Sequence, residues 1–233
     1  MNRKYKLIKT DTKKYAGITL FRIKAKISFG DVSKGDKGGY IEKEENLSTS
    51  GNAWVYGDAE VSGNARVSGN AWVSDNARVS GDARVYGNAE VSGSAWVSGD
   101  AEVSGDARVS GNARVSGSAR VSGSAWVSGS ARVSGDARVY GDAEVSGSAR
   151  VFGSARVSIR VFNLVFCCQF SCSAYTQKDV GWSVQIGCKL HTVKEWDKIF
   201  KAKTYLSLCG NEKEYNECKD AFVYMKKLIK GAQ

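Results

Sequence analysis

A six-residue period dominates the chain. From Gly51 to Ser158 the sequence repeats Gly-(Asn/Asp/Ser)-Ala-x-Val-(Ser/Tyr/Phe) eighteen times without insertion or deletion. Ala recurs at every sixth position, Val does the same, and the one departure at the Gly position is Asp75. A single unit is too small to bury its own apolar face, so units of this kind must stack on one another. The repeat therefore limits the fold to an elongated stack of near-identical units.

Each unit has the pattern of a short strand followed by a corner. In Ala-x-Val the two apolar side chains point to one face of the strand and x points to the other. We therefore expect Ala and Val inside, and the Trp, Arg or Glu at x outside. Gly followed by Asn or Asp suits a corner, because a positive φ is cheap for Gly and tolerated by Asn and Asp. An interior of Ala and Val alone is narrow, so any binding site is expected outside it.

The unit resembles a known repeat family. Val61-Ser62-Gly63-Asn64-Ala65-Arg66 is similar to the motif of hexapeptide-repeat, left-handed β-helix proteins. The resemblance implies three hexapeptides per turn, and hence six triangular coils of 18 residues. Left-handedness comes from the resemblance alone, because the usual crossover rule favours the right hand. The expected fold is an all-β solenoid, a left-handed parallel β-helix over residues 51–158, with a β-rich N-terminal cap (1–50) and an α+β C-terminal cap (159–233).

The N-terminal cap is predicted to contain short strands and turns. Ile18 to Ile23 suggests a strand, and Gly-rich turns are expected at Gly30 and at Gly35–Gly39. Phe29 to Val32, Gly35 to Glu42 and Glu45 to Ser48 resemble the N-terminal cap of hexapeptide-repeat proteins common in phages and prophages. The resemblance implies a phage- or prophage-type protein but carries no agreed biochemical activity.

The C-terminal cap is predicted to contain a strand and two helices. Val184 to Ile186 suggests the strand, and Thr192-Val193-Lys194-Glu195 has capping-box spacing for the first helix. A second helix is expected from about Asn211 to Gly231, with an apolar stripe at Tyr215, Cys218, Phe222, Met225 and Ile229. Ile186-Gly187-Cys188, Thr192 and Glu195-Trp196 loosely resemble the C-terminal portion of the phage-type proteins.

The net charge of +10 lies in the caps. Residues 1–50 carry +6, residues 51–158 carry −1, and residues 159–233 carry +5. The repeat has ten Arg and no Lys. A near-neutral repeat argues against binding long duplex nucleic acid.

Eighteen residues per turn would sort the outward residues into three columns, which define three faces. The first face carries Trp54, Trp72, Glu90, Arg108, Trp126 and Glu144; the second carries Glu60, Arg78, Trp96, Arg114, Arg132 and Arg150; the third carries Arg66, Arg84, Glu102, Arg120, Arg138 and Arg156. Stacked Arg repel unless neutralised, and corner residues such as Asp82, Asp100 and Asp136 could do this. A solvated, self-neutralised surface is the plain alternative to a binding face.

Arg and Trp suit two kinds of partner. Both are enriched at the centres of protein interfaces, and Arg forks also grip phosphate groups. Flat faces also pack commonly into trimers in the resembled family. The candidate binding residues are Trp54, Trp72, Trp96, Trp126, Arg66, Arg84, Arg114, Arg120, Arg132, Arg138 and Arg156.

Catalysis has little support in the sequence. Acyltransferases of the resembled family use a His as general base, and its carbonic anhydrases need several His for zinc. The repeat has no His, and the one His of the chain is His191. Cys188-x-x-His191 with Cys167, Cys168 and Cys172 could supply zinc ligands, but buried thiols are the commoner use of Cys. No catalytic residue, metal or cofactor is predicted, and an acyltransferase-like enzyme is the alternative.

The expected setting is the cytoplasm, that of the host cell if the protein is phage-encoded. Residues 1–14 lack the apolar run of a secretory signal, and no stretch reaches the length of a membrane span. The sequence thus favours a non-catalytic binding protein, homo-oligomeric with a trimer favoured. Its expected partner is a host protein, as for a defence inhibitor, or a small anionic ligand such as a nucleotide.

Overall fold

The computed structural model describes residues 2–15, 17–158, 162–164, 172–177, 181–186, 189–202 and 212–231. Each hexapeptide forms one two-residue strand, made of the outward residue and the following Val. These strands, β4 to β21, are Trp54–Val55, Glu60–Val61, Arg66–Val67, Trp72–Val73, Arg78–Val79, Arg84–Val85, Glu90–Val91, Trp96–Val97, Glu102–Val103, Arg108–Val109, Arg114–Val115, Arg120–Val121, Trp126–Val127, Arg132–Val133, Arg138–Val139, Glu144–Val145, Arg150–Val151 and Arg156–Val157.

The repeat strands form three parallel sheets, one for each predicted column. Every repeat strand pairs in parallel with a strand 18 residues before or after it, as in Trp54↔Trp72 and Glu60↔Arg78. Each sheet takes every third strand, and six repeat strands lie in each. The parallel β-solenoid is therefore confirmed, while its left hand and its division into six triangular coils stay predictions of the resemblance.

The interior is filled by the two apolar positions of the repeat. Every Ala from Ala53 to Ala155 and every Val from Val55 to Val157 is at most 2% exposed. Backbone ladders fix this arrangement, because Arg78 N donates to Ala95 O at 2.9 Å and Ser80 N donates to Val97 O at 2.9 Å. The small side chains pack as one continuous cluster along the axis.

The corners require the left-handed backbone that Gly adopts without strain. The corner glycines of the repeat have φ between +58° and +76°, and Asp75 adopts +61°. Successive corners also lie almost in contact: a Cβ added at Gly93 would lie 2.9 Å from Gly111 N and 3.0 Å from Gly111 O. At most of the corner Gly positions, a side chain is therefore disfavoured both by the backbone conformation and by the close stacking of successive corners.

The N-terminal segment is a three-stranded sheet that continues into the solenoid. Strands β1 (Tyr5–Tyr15), β2 (Ile18–Ala25) and β3 (Lys37–Ile41) pair antiparallel in that order. The predicted strand at Ile18 is confirmed. Strand β3 then pairs in parallel with β5, through Tyr40↔Glu60 and Ile41↔Val61. The parallel ladder therefore begins before the first hexapeptide.

Two glycines of the expected turn at Gly35–Gly39 lie in β3 instead, and that part of the prediction is wrong. A Cβ at Gly38 would lie 2.5 Å from Val55 O, and one at Gly39 would lie 2.5 Å from Ala59 O. These glycines let the strand approach the solenoid backbone closely. Gly35 does adopt a positive φ, of 99°. A short 3₁₀-helix, Glu44–Asn46, follows β3.

Lys4 and Tyr5 fasten the N-terminal segment to the solenoid. Lys4 is 2% exposed; its Nζ donates to Ala53 O at 2.8 Å and lies 4.4 Å from the Phe29 ring centre. Burial lowers the pKa of Lys4 to about 8. The Tyr5 hydroxyl donates to Glu44 O at 2.7 Å, and burial raises the pKa of Tyr5.

The C-terminal region is an antiparallel sheet with two helices. The sheet has the order β22 (Phe162–Leu164), β23 (Cys172–Gln177), β24 (Gly181–Ile186) and β25 (Lys189–Thr192). Helices α1 (Val193–Lys201) and α2 (Glu212–Gly231) follow. The strand at Val184 to Ile186 and both helices are confirmed.

The helix contacts in this region follow the predicted pattern. Thr192 Oγ1 accepts from Glu195 N at 3.2 Å and Glu195 Oε2 accepts from Thr192 N at 2.8 Å, which is the capping box. The hydrogen bonds that the Glu195 carboxylate accepts from Thr192 N and Thr192 Oγ1 lower the pKa of Glu195. The stripe residues Tyr215, Cys218, Phe222 and Met225 are buried with Trp196. The side chain of Ile229 lies outside the described residues.

Candidate functional site

The three faces predicted from the sequence are three continuous columns in the structure. Parallel pairing places Arg120 next to Arg138 and Arg138 next to Arg156 on the third face. Arg114 and Arg132 are neighbours on the second face in the same way. Adjacent members of a column are about 4.8 Å apart at the backbone. The outward side chains therefore interact mainly with the residues one turn before and after them.

Glu residues neutralise several Arg within the columns. Glu60 lies 3.3 Å from Arg78, and Glu90 lies 3.5 Å from Arg108. Glu102 lies between two Arg of the third face, with its oxygens 3.9 Å from Arg84 Nη1 and 3.5 Å from Arg120 Nε. The paired Arg are thus Arg78, Arg84, Arg108 and Arg120.

Corner Asp residues do not neutralise the Arg columns, contrary to expectation. Across the described chain, every ion pair of a repeat Arg goes to an outward Glu. Corner side chains bond along their own column instead: Asn64 Nδ2 donates to Asp82 Oδ1 at 2.9 Å, and Asn88 Nδ2 donates to Asp106 Oδ1 at 2.9 Å. The corner directs these side chains along the axis, and so away from the sheet faces.

The unpaired Arg concentrate in the second half of the solenoid. Within residues 17–158, six exposed repeat Arg have no carboxylate partner among the described side chains: Arg66, Arg114, Arg132, Arg138, Arg150 and Arg156. Arg114 contacts Trp96 instead, with its guanidinium carbon 5.6 Å from the ring centre. Two adjacent columns therefore present uncompensated positive charge near the same end of the stack.

The four repeat Trp are not equivalent. Trp126 is 47% exposed and Trp72 is 38% exposed, whereas Trp96 is half-buried. Trp54 is 1% exposed, because the rings of Tyr5 and Phe29 pack against it at centre distances of 6.2 and 5.4 Å. The expectation of an outward, accessible Trp54 is therefore wrong, since the N-terminal segment folds over this end of the first face.

Of the candidates for catalysis and zinc, His191 lies in strand β25 of the C-terminal region. His191 contacts Trp196 edge-on at 4.9 Å, with its Nδ1 4.0 Å from Glu195 Oε2. Cys167, Cys168 and Cys188 and the Cys172 side chain lie outside the described residues. In the described part of the chain, no group of three or more His, Cys, Asp or Glu is placed to hold a metal ion. The same part contains no helix of the length and apolarity needed to span a bilayer.

Comparison with known proteins agrees with this architecture. The YdcK beta solenoid repeat matches the chain at residues 59–75, 83–99, 101–117, 107–123, 113–129 and 131–147. The chain is a β-solenoid repeat protein. All of the matched segments lie within the parallel sheets. A search of curated proteins gives no match to this β-solenoid.

Two residues beside the third face were not predicted as site residues. Arg120, Arg138 and Arg156 of the β-solenoid line a surface basin of about 340 Å³ together with Ser122 and Tyr140. Ser122 and Tyr140 occupy the last position of their hexapeptides, directly after the Val. The sequence did contain a signal for Tyr140, since the last position of the hexapeptide changes from Ser to Tyr at Tyr56, Tyr86 and Tyr140.

Proposed function

We propose that this β-solenoid is a non-catalytic binding protein that recognises anionic groups of a host protein or of a small ligand through its outer faces. One observation carries the proposal: near the same end of the stack, neighbouring Arg of the second and third faces project into solvent and have no carboxylate partner among the described residues. The Ala and Val interior supports it, because binding is left to the exterior.

Uncompensated Arg columns are energetically unfavourable in isolation, which is the physical reason to expect a ligand. Like charges on directly opposed positions of a sheet destabilise it. Guanidinium groups are also rigid, planar donors that match carboxylate and phosphate geometry. An anion that lies across two turns would replace this repulsion with charge-assisted hydrogen bonds.

The biological setting is part of the proposal and rests on resemblance. The cap segments favour a phage- or prophage-type protein, which would act in the host cytoplasm. The resemblance of the repeat to hexapeptide-repeat proteins adds a left-handed coil of six triangular turns. Trimers are common in that family, and the exposed rings of Trp72 and Trp126 would suit contacts between subunits or with a host protein. Inhibition of a host defence component would be consistent with such a role.

A charge-matched pair of variants tests the proposal. Arg138→Gln/Arg156→Gln removes two unpaired Arg, while Arg78→Gln/Arg108→Gln removes two that Glu60 and Glu90 already neutralise. Both proteins lose the same net charge. We expect the first to elute from a polyanionic heparin column at clearly lower salt than wild type, and the second to elute close to wild type. Equal shifts in the two variants would refute a role for the unpaired Arg.

A further inference from the structure

The basin on the third face has a rigid floor. Arg120 N donates to Ala137 O and Arg138 N donates to Ala155 O, both at 2.8 Å. Tyr140 N donates to Val157 O at 2.9 Å. Three Arg are therefore held in register on consecutive turns, beside the side chains of Ser122 and Tyr140.

The charge within the basin is strongly unbalanced. Arg120 shares Glu102 with Arg84, whereas Arg138 and Arg156 make no ion pair with any described residue. Three guanidinium groups thus line the basin, and among the described residues only that of Arg120 contacts a carboxylate. An oxyanion that bridges Arg138 and Arg156 would neutralise the part of the column that Glu102 does not reach.

The same solenoid contains a natural control for this arrangement. Three turns earlier, Arg66, Ser68, Arg84, Tyr86 and Glu102 occupy the positions that correspond to Arg120, Ser122, Arg138, Tyr140 and Arg156. The two sets differ in one residue, Glu102 in place of Arg156. In the earlier set Glu102 lies 3.9 Å from Arg84, and the third positive charge is absent. The excess of positive charge is therefore larger in the later set, which has three Arg and no Glu.

The size of the basin favours a small ligand. Three turns of the ladder span about 10 Å, which is two interstrand spacings. A volume of about 340 Å³ lies at the small end of ligand sites. Tyr140 is half-buried and lines the basin, so its ring offers a surface for a planar group of the ligand. The dimensions suit one phosphate and one ring, and are too short for a nucleic-acid duplex.

We infer that the basin formed by Arg120, Ser122, Arg138, Tyr140 and Arg156 binds a small phosphomonoester that carries an aromatic ring, of the nucleoside monophosphate class. The phosphate lies against Arg138 and Arg156, and the ring lies near Tyr140. This inference rests on the proposed anion-binding function and assigns it a ligand class.

Calorimetric titration of the full chain with adenosine 5′-monophosphate tests the assignment, with adenosine and inorganic phosphate as parallel titrants. We expect one monophosphate per chain, bound more tightly than either fragment. Arg138→Gln should weaken binding by about tenfold to a hundredfold, which corresponds to one lost charge-assisted contact. Arg108→Gln, which removes the same charge on the first face, should leave binding within about twofold of wild type.

A second variant exploits the natural control. Arg156→Glu recreates the sequence of the earlier set and should abolish binding of the monophosphate, while circular dichroism verifies that the solenoid remains folded. Phosphate or adenosine binding as tightly as the monophosphate would overturn the assignment, as would equal losses in Arg138→Gln and Arg108→Gln. Absence of monophosphate binding would also overturn the assignment. In that case the proposed anion-binding function would still stand if heparin retention depended on Arg138 and Arg156, and it would be refuted if heparin retention did not depend on them.

Discussion

Because successive corners stack closely, the stability lost when a corner Gly is replaced by Ala should depend on which turn is changed. At Gly93 a Cβ would lie 2.9 Å from Gly111 N, whereas at Gly57 the nearest atom, Asp75 N, lies 3.5 Å away. The two glycines have similar φ values, +67° and +58°. Gly93→Ala and Gly57→Ala therefore share the backbone cost and differ in the steric one.

The expected magnitudes follow from these two costs. A left-handed Ala costs about 1–2 kcal/mol, partly offset by about 0.4–1 kcal/mol from the less flexible unfolded chain. Gly57→Ala should therefore lower the free energy of unfolding by about 1 kcal/mol. Overpacking at Gly93 adds about 1–3 kcal/mol, for a total of about 2–4 kcal/mol. Urea unfolding followed by circular dichroism measures the difference, and equal losses in the two variants would refute the stacking argument.

Three further predictions concern other parts of the chain. Asp75→Ala should cost about 1 kcal/mol in urea unfolding, because Asp75 Oδ2 accepts from Gly93 N at 2.8 Å; Asp75→Ala as stable as wild type would exclude this contribution. The lowered pKa of Lys4 means that the unfolded state binds more protons between pH 8 and 10, so stability should rise over that range. Lys4→Met should remove the rise. Above pH 10 stability should fall as the pH increases, because the raised pKa of Tyr5 means that the unfolded state loses this proton first. Arg138→Gln/Arg156→Gln should raise the melting temperature at low salt more than Arg78→Gln/Arg108→Gln, because only the first relieves repulsion between Arg that no described carboxylate neutralises. A melting temperature of Arg138→Gln/Arg156→Gln below that of wild type would contradict this.

The solenoid could be predicted because a period of six fixes both burial and vertical neighbours. Once 18 residues are assigned to a turn, Glu60 must lie beside Arg78, and Glu102 must lie between Arg84 and Arg120. The pairing of charges on the faces follows from this register alone. The orientation of corner side chains does not, which is why Asp82 was expected to neutralise Arg and instead accepts a hydrogen bond from Asn64.

Contacts between non-repeating segments and the solenoid could not be predicted from the period. Trp54 has the same place in its hexapeptide as Trp126, yet Tyr5 and Phe29 cover it. Gly38 and Gly39 look like turn residues in the sequence, but they allow a strand to approach Val55 and Ala59. In each case the deciding partner is distant in sequence, so local propensity gives the wrong environment.

The most direct test of the unpaired Arg columns is an NMR titration that resolves the Arg Nε–H signals of the solenoid as inorganic phosphate is added. We expect the signals of Arg138 and Arg156 to shift at the lowest phosphate concentrations, while those of Arg78 and Arg108, which Glu60 and Glu90 already engage, shift little. Shifts of equal size in all four Arg would contradict the claim that the unpaired Arg form the anion-binding surface.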